Sequence, residues 1–452
     1  MKTMTIRMVS ICVALAFSSV AHGADLSTVY QAARNYDATF AAAEATRHAG
    51  EEKAAQGRAL WLPQVNATGF YQHQTASQDL PASEASSLPP GSSLSTSAHG
   101  QSRGYQVSAT QPIYNVAASA GNTQLQEQAR LADVRFRAAE QDLIMHVAQA
   151  YFDVLYAQDN LEFVRAQKDA NSEQLAQAKK SFDVGVGTVT DVHEAQASYD
   201  ATVASEIAAL NTLEVKQNAF VQLTGMPADN LAPLVSHPVA TPPAPESMDY
   251  WLTRAEAHSP DIDAQRGALS IATAEIDKYR ALRQPTLSLV GQKGETWNNG
   301  SLANLNGSSS QQSAIGLQLN IPIYTGGSTS SKLRESLALR DQAAQQLLAT
   351  QRTVAQNTKA AFLGVKSGAA QIKALEQALT SAQSSLDSTT LGRQVGVRTT
   401  LDVLNTLQAF YSTKRDLAQA RYSYLISKLQ LAQAIGELSV EDVDAVNAQL
   451  KR

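Results

Sequence analysis

Cysteine is almost missing from this sequence: Cys12 is the only one in 452 residues. It lies in a segment with the marks of a secretory leader over residues 1–23. Lys2 and Arg7 form a basic start, an apolar core runs from about Val9 to Phe17, and Ala21-His22-Gly23 offers a cleavage point. A mature chain beginning near Ala24 has no thiol, which excludes disulfides and a lipid-bearing Cys at the cleavage point. No later stretch is apolar enough for a spanning helix. Basic residues are no more plentiful than acidic ones, 36 Lys and Arg against 41 Asp and Glu, which excludes the basic footprint of a nucleic-acid binder. The eight His are scattered without metal-ligand spacing. A nucleophile elbow, a phosphate loop and a Cys-His pair are all missing. No catalytic residue, metal or cofactor is therefore expected, and nothing argues for an enzyme. An exported chain without apolar helices is either soluble or crosses a membrane as β-strands.

What the sequence does contain, it contains twice. Phe182-Asp183-Val184-Gly185-Val186-Gly187-Thr188-Val189-Thr190-Asp191-Val192 is echoed by Arg393-Gln394-Val395-Gly396-Val397-Arg398-Thr399-Thr400-Leu401-Asp402-Val403. Trp61-Leu62-Pro63 answers Arg283-Gln284-Pro285, and Gln111-Pro112-Ile113-Tyr114 answers Ile321-Pro322-Ile323-Tyr324. The spacing repeats as well. Pro112 to Gly185 is 73 residues and Pro322 to Gly396 is 74; Gly185 to Gly225 and Gly396 to Gly436 are both 40. The expected organisation is a first repeat over 24–225, a Pro-rich linker over 226–246, a second repeat over 247–436 and a polar tail over 437–452.

Within each repeat the pattern predicts a helix, two strands and a long helical hairpin. Helices are expected over about 26–60 and 248–282. Val65, Ala67, Gly69 and Tyr71 alternate with polar residues, as do Tyr105, Val107 and Ala109, then Leu287 and Leu289, then Ile315, Leu317, Leu319 and Ile321. Pro63, Pro112, Pro285 and Pro322 bound these strands, and polar loops are expected over 74–103 and 295–313. Aromatic residues Phe70, Tyr71, Tyr105, Tyr114 and Tyr324 are candidates for interfacial girdles.

Long Pro-free helices follow, over about 116–183 and 329–393. Seven-residue series mark their seams: Ala129, Phe136, Leu143, Ala150, Ala157 and Val164 in the first, Leu347, Val354, Ala361, Gly368, Leu375 and Ala382 in the second. Each helix would be roughly 100 Å long at 1.5 Å per residue. Gly185, Gly187 and Gly396 punctuate the turns into return helices. Thr188 with Asp191, and Thr399 with Asp402, have capping-box spacing, which accounts for both carboxylates with no pore at all. Arg398 and Asp402 are also i,i+4 neighbours.

Four strands cannot close a barrel, and an open edge cannot sit in lipid, so membrane strands here require several chains to pool them. A soluble periplasmic coiled-coil adaptor or scaffold capped by a small sheet is the alternative. It explains the hairpins but not the matched strands.

The duplicated Pro-bounded strand pairs, together with Gly-Val-Arg-Thr-Thr-Leu-Asp-Val-Leu-Asn at 396–405, resemble the TolC family of outer-membrane efflux and secretion proteins. The resemblance runs from about Leu26 to Glu437. It implies a mainly α fold with a membrane β-barrel: a homotrimer whose twelve-stranded barrel, four strands per protomer, stands on a periplasmic α-barrel closed at its tip. The implied role is a passive outer-membrane duct extending into the periplasm, serving type I protein secretion, efflux of small toxic compounds, or both. The implied partners are a periplasmic adaptor (membrane fusion) protein, an inner-membrane transporter, either ABC-type or proton-driven, and outer-membrane lipid. By position, the tip latch falls on Thr190, Asp191 and Arg398 and the pore constriction on Asp402. Asn405 stands where the family's best-known member has a second acidic residue, and Arg393 replaces a tyrosine of the closing link. Because Gly187 aligns with Arg398, the second hairpin is expected to move most on opening.

Overall fold

The computed structural model describes residues 23–79, 81, 95–236, 238–300 and 307–451. The expected leader lies outside them apart from Gly23, Cys12 included. In chain order the elements are α1 (Leu26–Tyr36), α2 (Ala38–Ala59), β1 (Gln64–Asp79), β2 (Ser95–Tyr114), α3 (Val116–Asp183), α4 (Val189–Thr224), α5 (Met248–His258), α6 (Pro260–Ala281), β3 (Thr286–Gly300), β4 (Ser308–Asn320), α7 (Ser328–Gln394), α8 (Thr400–Ala434) and α9 (Val440–Asn447). No helix among the described residues is long and apolar enough to cross a membrane. The chain forms two compact units, each assembled from separate stretches. One draws on 42–138 and 260–354, the other on the rest.

The first of these units holds the sheet, an antiparallel meander in the order β1-β2-β3-β4 whose outer strands, β1 and β4, have no further partner among the described residues. Directly paired residues share a face, so the register sorts the side chains. Val65 pairs with Ala109, Ala109 with Gly291 and Gly291 with Ile315; Leu289 pairs with Leu317 and Leu287 with Leu319. That face is apolar over this region apart from Gln111, which pairs with Leu289. Asn66, Thr68, Gln106, Ser108, Gln292, Gln312 and Gln318 lie on the opposite face, where Gln106 donates to Gln292 Oε1 at 3.2 Å. The apolar side chains are open in the single chain: Ile315 is 80% exposed and Leu317 65%. Water is a poor solvent for such a surface, so it requires a cover.

The strands outrun the expected loops. β1 continues to Asp79 and β2 begins at Ser95, inside the stretch expected as a loop over 74–103; β3 reaches Gly300 and β4 starts at Ser308. Pro112 does not end β2, which runs on to Tyr114. The ladder to β3 shifts register between Pro112 and Tyr114, the kind of irregularity at which a residue without an N–H is tolerated. Of the aromatic candidates, Tyr71 and Tyr105 share the apolar face, whereas Phe70 is on the other.

The other unit carries the aliphatic core. Leu26, Val29 and Ala33 of α1, Val147, Tyr151, Phe152 and Val154 of α3, Phe220 of α4, Leu425 and Leu429 of α8, and Val443 and Val446 of α9 are almost fully buried. The helix expected over 26–60 is broken at Asp37, whose carboxylate accepts the N–H groups of Thr39 and Phe40 and so caps α2. That expected over 248–282 is broken at Ser259, because Pro260 takes the first position of α6. The tail is not merely polar: Ser439 and Asp442 form a capping box that starts α9. Asn447 bonds Asp25 and the Leu26 N–H, tying the tail to the start of α1. The heptad series go inside in part: Phe136, Leu143, Ala157, Val164, Val354 and Ala361 are buried, whereas Ala129, Ala150, Leu347, Gly368, Leu375 and Ala382 are half-buried.

Candidate functional site

The two hairpin turns share one backbone design. In the first, Val186 N–H donates to Ser181 C=O at 3.0 Å and Gly185 N–H to Phe182 C=O at 2.9 Å. In the second, Val397 N–H donates to Gly392 C=O at 2.9 Å and Gly396 N–H to Arg393 C=O at 3.0 Å. This 6→1 plus 5→2 pairing is the Schellman motif. It places Gly185 at φ 77° and Gly396 at φ 79°, where a Cβ is costly. Three residues beyond each glycine, the return helix is capped. Thr188 and Asp191 exchange hydroxyl, carboxylate and backbone contacts at 2.6–3.1 Å, and Thr399 and Asp402 do the same at 2.9–3.1 Å. The capping reading of both carboxylates therefore holds.

At the crossing point the two copies trade size. A Cβ on Gly187 would meet Ser181 Cβ at 3.0 Å, whereas a Cβ on Gly392 would meet Arg398 Cγ at 2.8 Å. Ser181 aligns with Gly392, and Gly187 with Arg398. One turn spends the space on Ser181, the other on the arginine. Gly392 is thus what lets the Arg398 stem lie across its own helix end, a role that sequence reasoning did not assign. The signal was present in the aligned pairs, Ser with Gly and Gly with Arg.

The structure brings some of the expected residues together and leaves others apart. Asp191 faces the second hairpin, where the Thr400 hydroxyl helps to keep its carboxyl ionised, and Thr400 is buried. Arg393, which replaces a tyrosine of the family's closing link, makes a contact of its own: its Nη1 donates to Gln174 Oε1 at 2.9 Å and to Gln177 Oε1 at 2.6 Å on α3. Leu175, Ala178, Ala195 and Leu404 form an apolar cluster between the two hairpins, with Val192 and Tyr199 against it. Thr190, Arg398 and Asn405 are exposed. Among the described residues, the Thr190 hydroxyl and the Arg398 guanidinium make no hydrogen bond or ion pair within the chain.

Both acidic residues are held below their ordinary value. For Asp191 the Thr188 hydroxyl is the main cause, supplemented by the Thr188 N–H, the Thr400 hydroxyl and the Arg393 charge, with burial opposing. For Asp402 the Thr399 N–H leads, then its hydroxyl, with Arg398 adding a favourable charge. A depressed folded pKa stabilises above the unfolded value and is lost as pH falls through the folded one. The caps are therefore complete above the ordinary value of 3.8 and fail only below it. Amide exchange at 189–192 and 400–403, corrected for intrinsic rates, is expected to be flat from pH 7 to 5 and to rise below about 3.8; a rise between pH 7 and 5 would contradict this.

No group of His, Cys, Asp and Glu able to hold a metal occurs among the described residues.

The chain matches the family model described as "Outer membrane efflux protein" over residues 29–226 and 251–437. It is 34% identical to Outer membrane protein TolC of Vibrio cholerae over 437 residues, covering 96% of this chain and 95% of that protein. It is 30% identical to Alkaline protease secretion protein AprF of Pseudomonas aeruginosa over 429 residues, covering 93% and 86%. Its fold is similar to that of the Campylobacter jejuni CmeC outer membrane channel, with a TM-score of 0.75 at 16% identity, covering 100% of this chain and 98% of that one.

Proposed function

The chain belongs to the outer membrane efflux protein family, and from that premise we propose that three copies form a passive duct in the outer membrane, receiving cargo from an inner-membrane transporter through a periplasmic adaptor. Cargo in this reading is protein delivered by type I secretion, small toxic compounds, or both; the similarity to AprF, a protease secretion protein, favours the first. The observation that carries the proposal is the sheet: four antiparallel strands, two edges unpaired among the described residues and one apolar face. Three such sheets joined edge to edge satisfy every strand and turn the apolar faces to lipid. A soluble scaffold would leave that face in water.

The hairpin turns then form the closable end. Thr190 and Arg398, without hydrogen-bond or ion-pair partners among the described residues, would then bond a neighbouring protomer, and Asp191 would join the two hairpins of one protomer. Asp402 supplies the constriction with one carboxylate per chain, Asn405 adding no charge. As a duct, the protein performs no chemistry on its cargo.

Planar-bilayer recording tests the proposal. The purified protein is expected to insert as a channel with small cation-preferring steps that grow in Arg398→Ala. Absence of conductance from both proteins would overturn it.

A further inference from the structure

We propose that the hairpin end of the apolar sheet face binds the phosphate of an anionic lipid headgroup, through Arg103 and Lys293. The proposal rests on the closed-barrel reading for which face meets lipid. Tyr71, Arg103 and Trp297 are successive register partners on β1, β2 and β3, so they lie in one row across that face. The Arg103 guanidinium lies over the Trp297 ring, 5.9 Å from its centroid. Tyr105 packs against the same indole, with centroids 6.0 Å apart. Lys293, paired with Val107, shares the face two rows nearer the helices, and Glu295, paired with Tyr105, lies between. Two cations thus stand with one carboxylate.

Arg103 and Lys293 are exposed, and Glu295 and Trp297 are half-buried. Among the described residues no acceptor takes up the Arg103 or Lys293 N–H groups. The indole holds the guanidinium beside it, and its exposed donor fork is free for a ligand beside the protein. Towards the helices the same face becomes the field of Ala109, Leu287, Leu289, Ile315 and Leu317. A cation facing acyl chains is expelled to the interface, so the rows from Arg103 to Lys293 span the lipid–water boundary on the hairpin side. Aromatic rings with polar edges belong at that level. The anion available there is headgroup phosphate, whose oxygens match the guanidinium fork. A soluble phosphate would have no use for the flanking Tyr71, Tyr105 and Trp297 surface.

The test uses the full chain in uncharged maltoside detergent, with Trp61→Phe and Trp251→Phe leaving Trp297 as the reporter. Phosphatidylglycerol is expected to give a saturable fluorescence change, and phosphatidylcholine a much weaker one. Arg103→Gln with Lys293→Gln should weaken phosphatidylglycerol roughly thirtyfold, from about 1 kcal/mol per basic residue at an anionic surface. Gln101→Arg combined with Arg103→Gln returns a cation to the same face one row away and should restore part of the affinity. Native mass spectra of the same samples report the number of chains and the lipids retained. Equal response to both lipids, an unchanged response in the double-Gln variant, or a response to inorganic phosphate alone would each overturn the proposal. Trimers lacking phosphatidylglycerol would sink this inference alone; a failure to form trimers in lipid would sink the barrel reading beneath it.

Discussion

Leu317→Lys is expected to stop the chain assembling in a membrane, whereas Gln318→Lys, the next residue of β4, is expected to leave assembly intact. The two side chains project from opposite faces of one strand. Leu317 belongs to the apolar row with Leu289 and is 65% exposed in the single chain. Were that face in water, the substitution would change stability by no more than about 0.5 kcal/mol, the usual figure for exposed positions. Facing acyl chains, a lysine near the bilayer centre costs about 2–4 kcal/mol. Three chains carry the penalty together. Gln318 lies on the amide-rich face with Gln292 and Gln312, which a water-filled lumen accommodates. The measurement is the fraction of heat-modifiable oligomer after refolding into phosphatidylcholine vesicles. Loss in Leu317→Lys with retention in Gln318→Lys is the expected result; equal behaviour of the two would show that the sheet does not face lipid as described.

Arg393→Ala is expected to shift the tip towards its open state. Arg393 closes the gap between the end of α7 and α3 through Gln174 and Gln177 at 2.9 and 2.6 Å. Charge-assisted hydrogen bonds contribute about 1.5–3 kcal/mol when shielded. This guanidinium is only half-buried, so about 2 kcal/mol for the pair is a fair figure, equivalent to a roughly thirtyfold change in the open-to-closed ratio. Truncation also removes a positive charge that favours ionised Asp191. Arg393→Lys keeps the charge without the planar fork, and should fall between. A double-mutant cycle of Arg393→Ala with Gln177→Ala isolates the bond. Open probability in planar bilayers is the readout, and additive effects in the cycle would contradict the link.

Much of this architecture was legible in the chain, for identifiable reasons. α3 starts and stops where the Pro-free heptad pattern does, because Gly185 supplies the left-handed residue that ends it. The return helices start at Thr188 and Thr399, because Thr-x-x-Asp is a self-contained capping unit. The strand ends were not legible. Beyond Gln72, and before Tyr105, both faces of the ladder are polar, so alternation vanishes while backbone pairing continues from Thr75–His99 to Asp79–Ser95. The break at Asp37 was missed because a single capping carboxylate inside an alanine-rich run leaves no periodic trace. At the turns, Thr188, Asp191, Thr399 and Asp402 could be paired by spacing alone. The contacts of Arg393 with Gln174 and Gln177 could not: they depend on which helices meet, and the residues are more than two hundred positions apart in sequence.

In the duct, β1 of one chain is expected to pair with β4 of the next, in a ring that closes at three. Cys12 is the chain's one cysteine, so with Cys12→Ser an introduced pair reports without background. Single cysteines scanned along β1 from 64 to 72, each combined with one along β4 from 312 to 320, are to be oxidised in membranes and resolved by denaturing electrophoresis. Matched rows are expected to form a covalent ladder of two and three chains that stops at three. A ladder running past three, or no cross-link in any row, would contradict this.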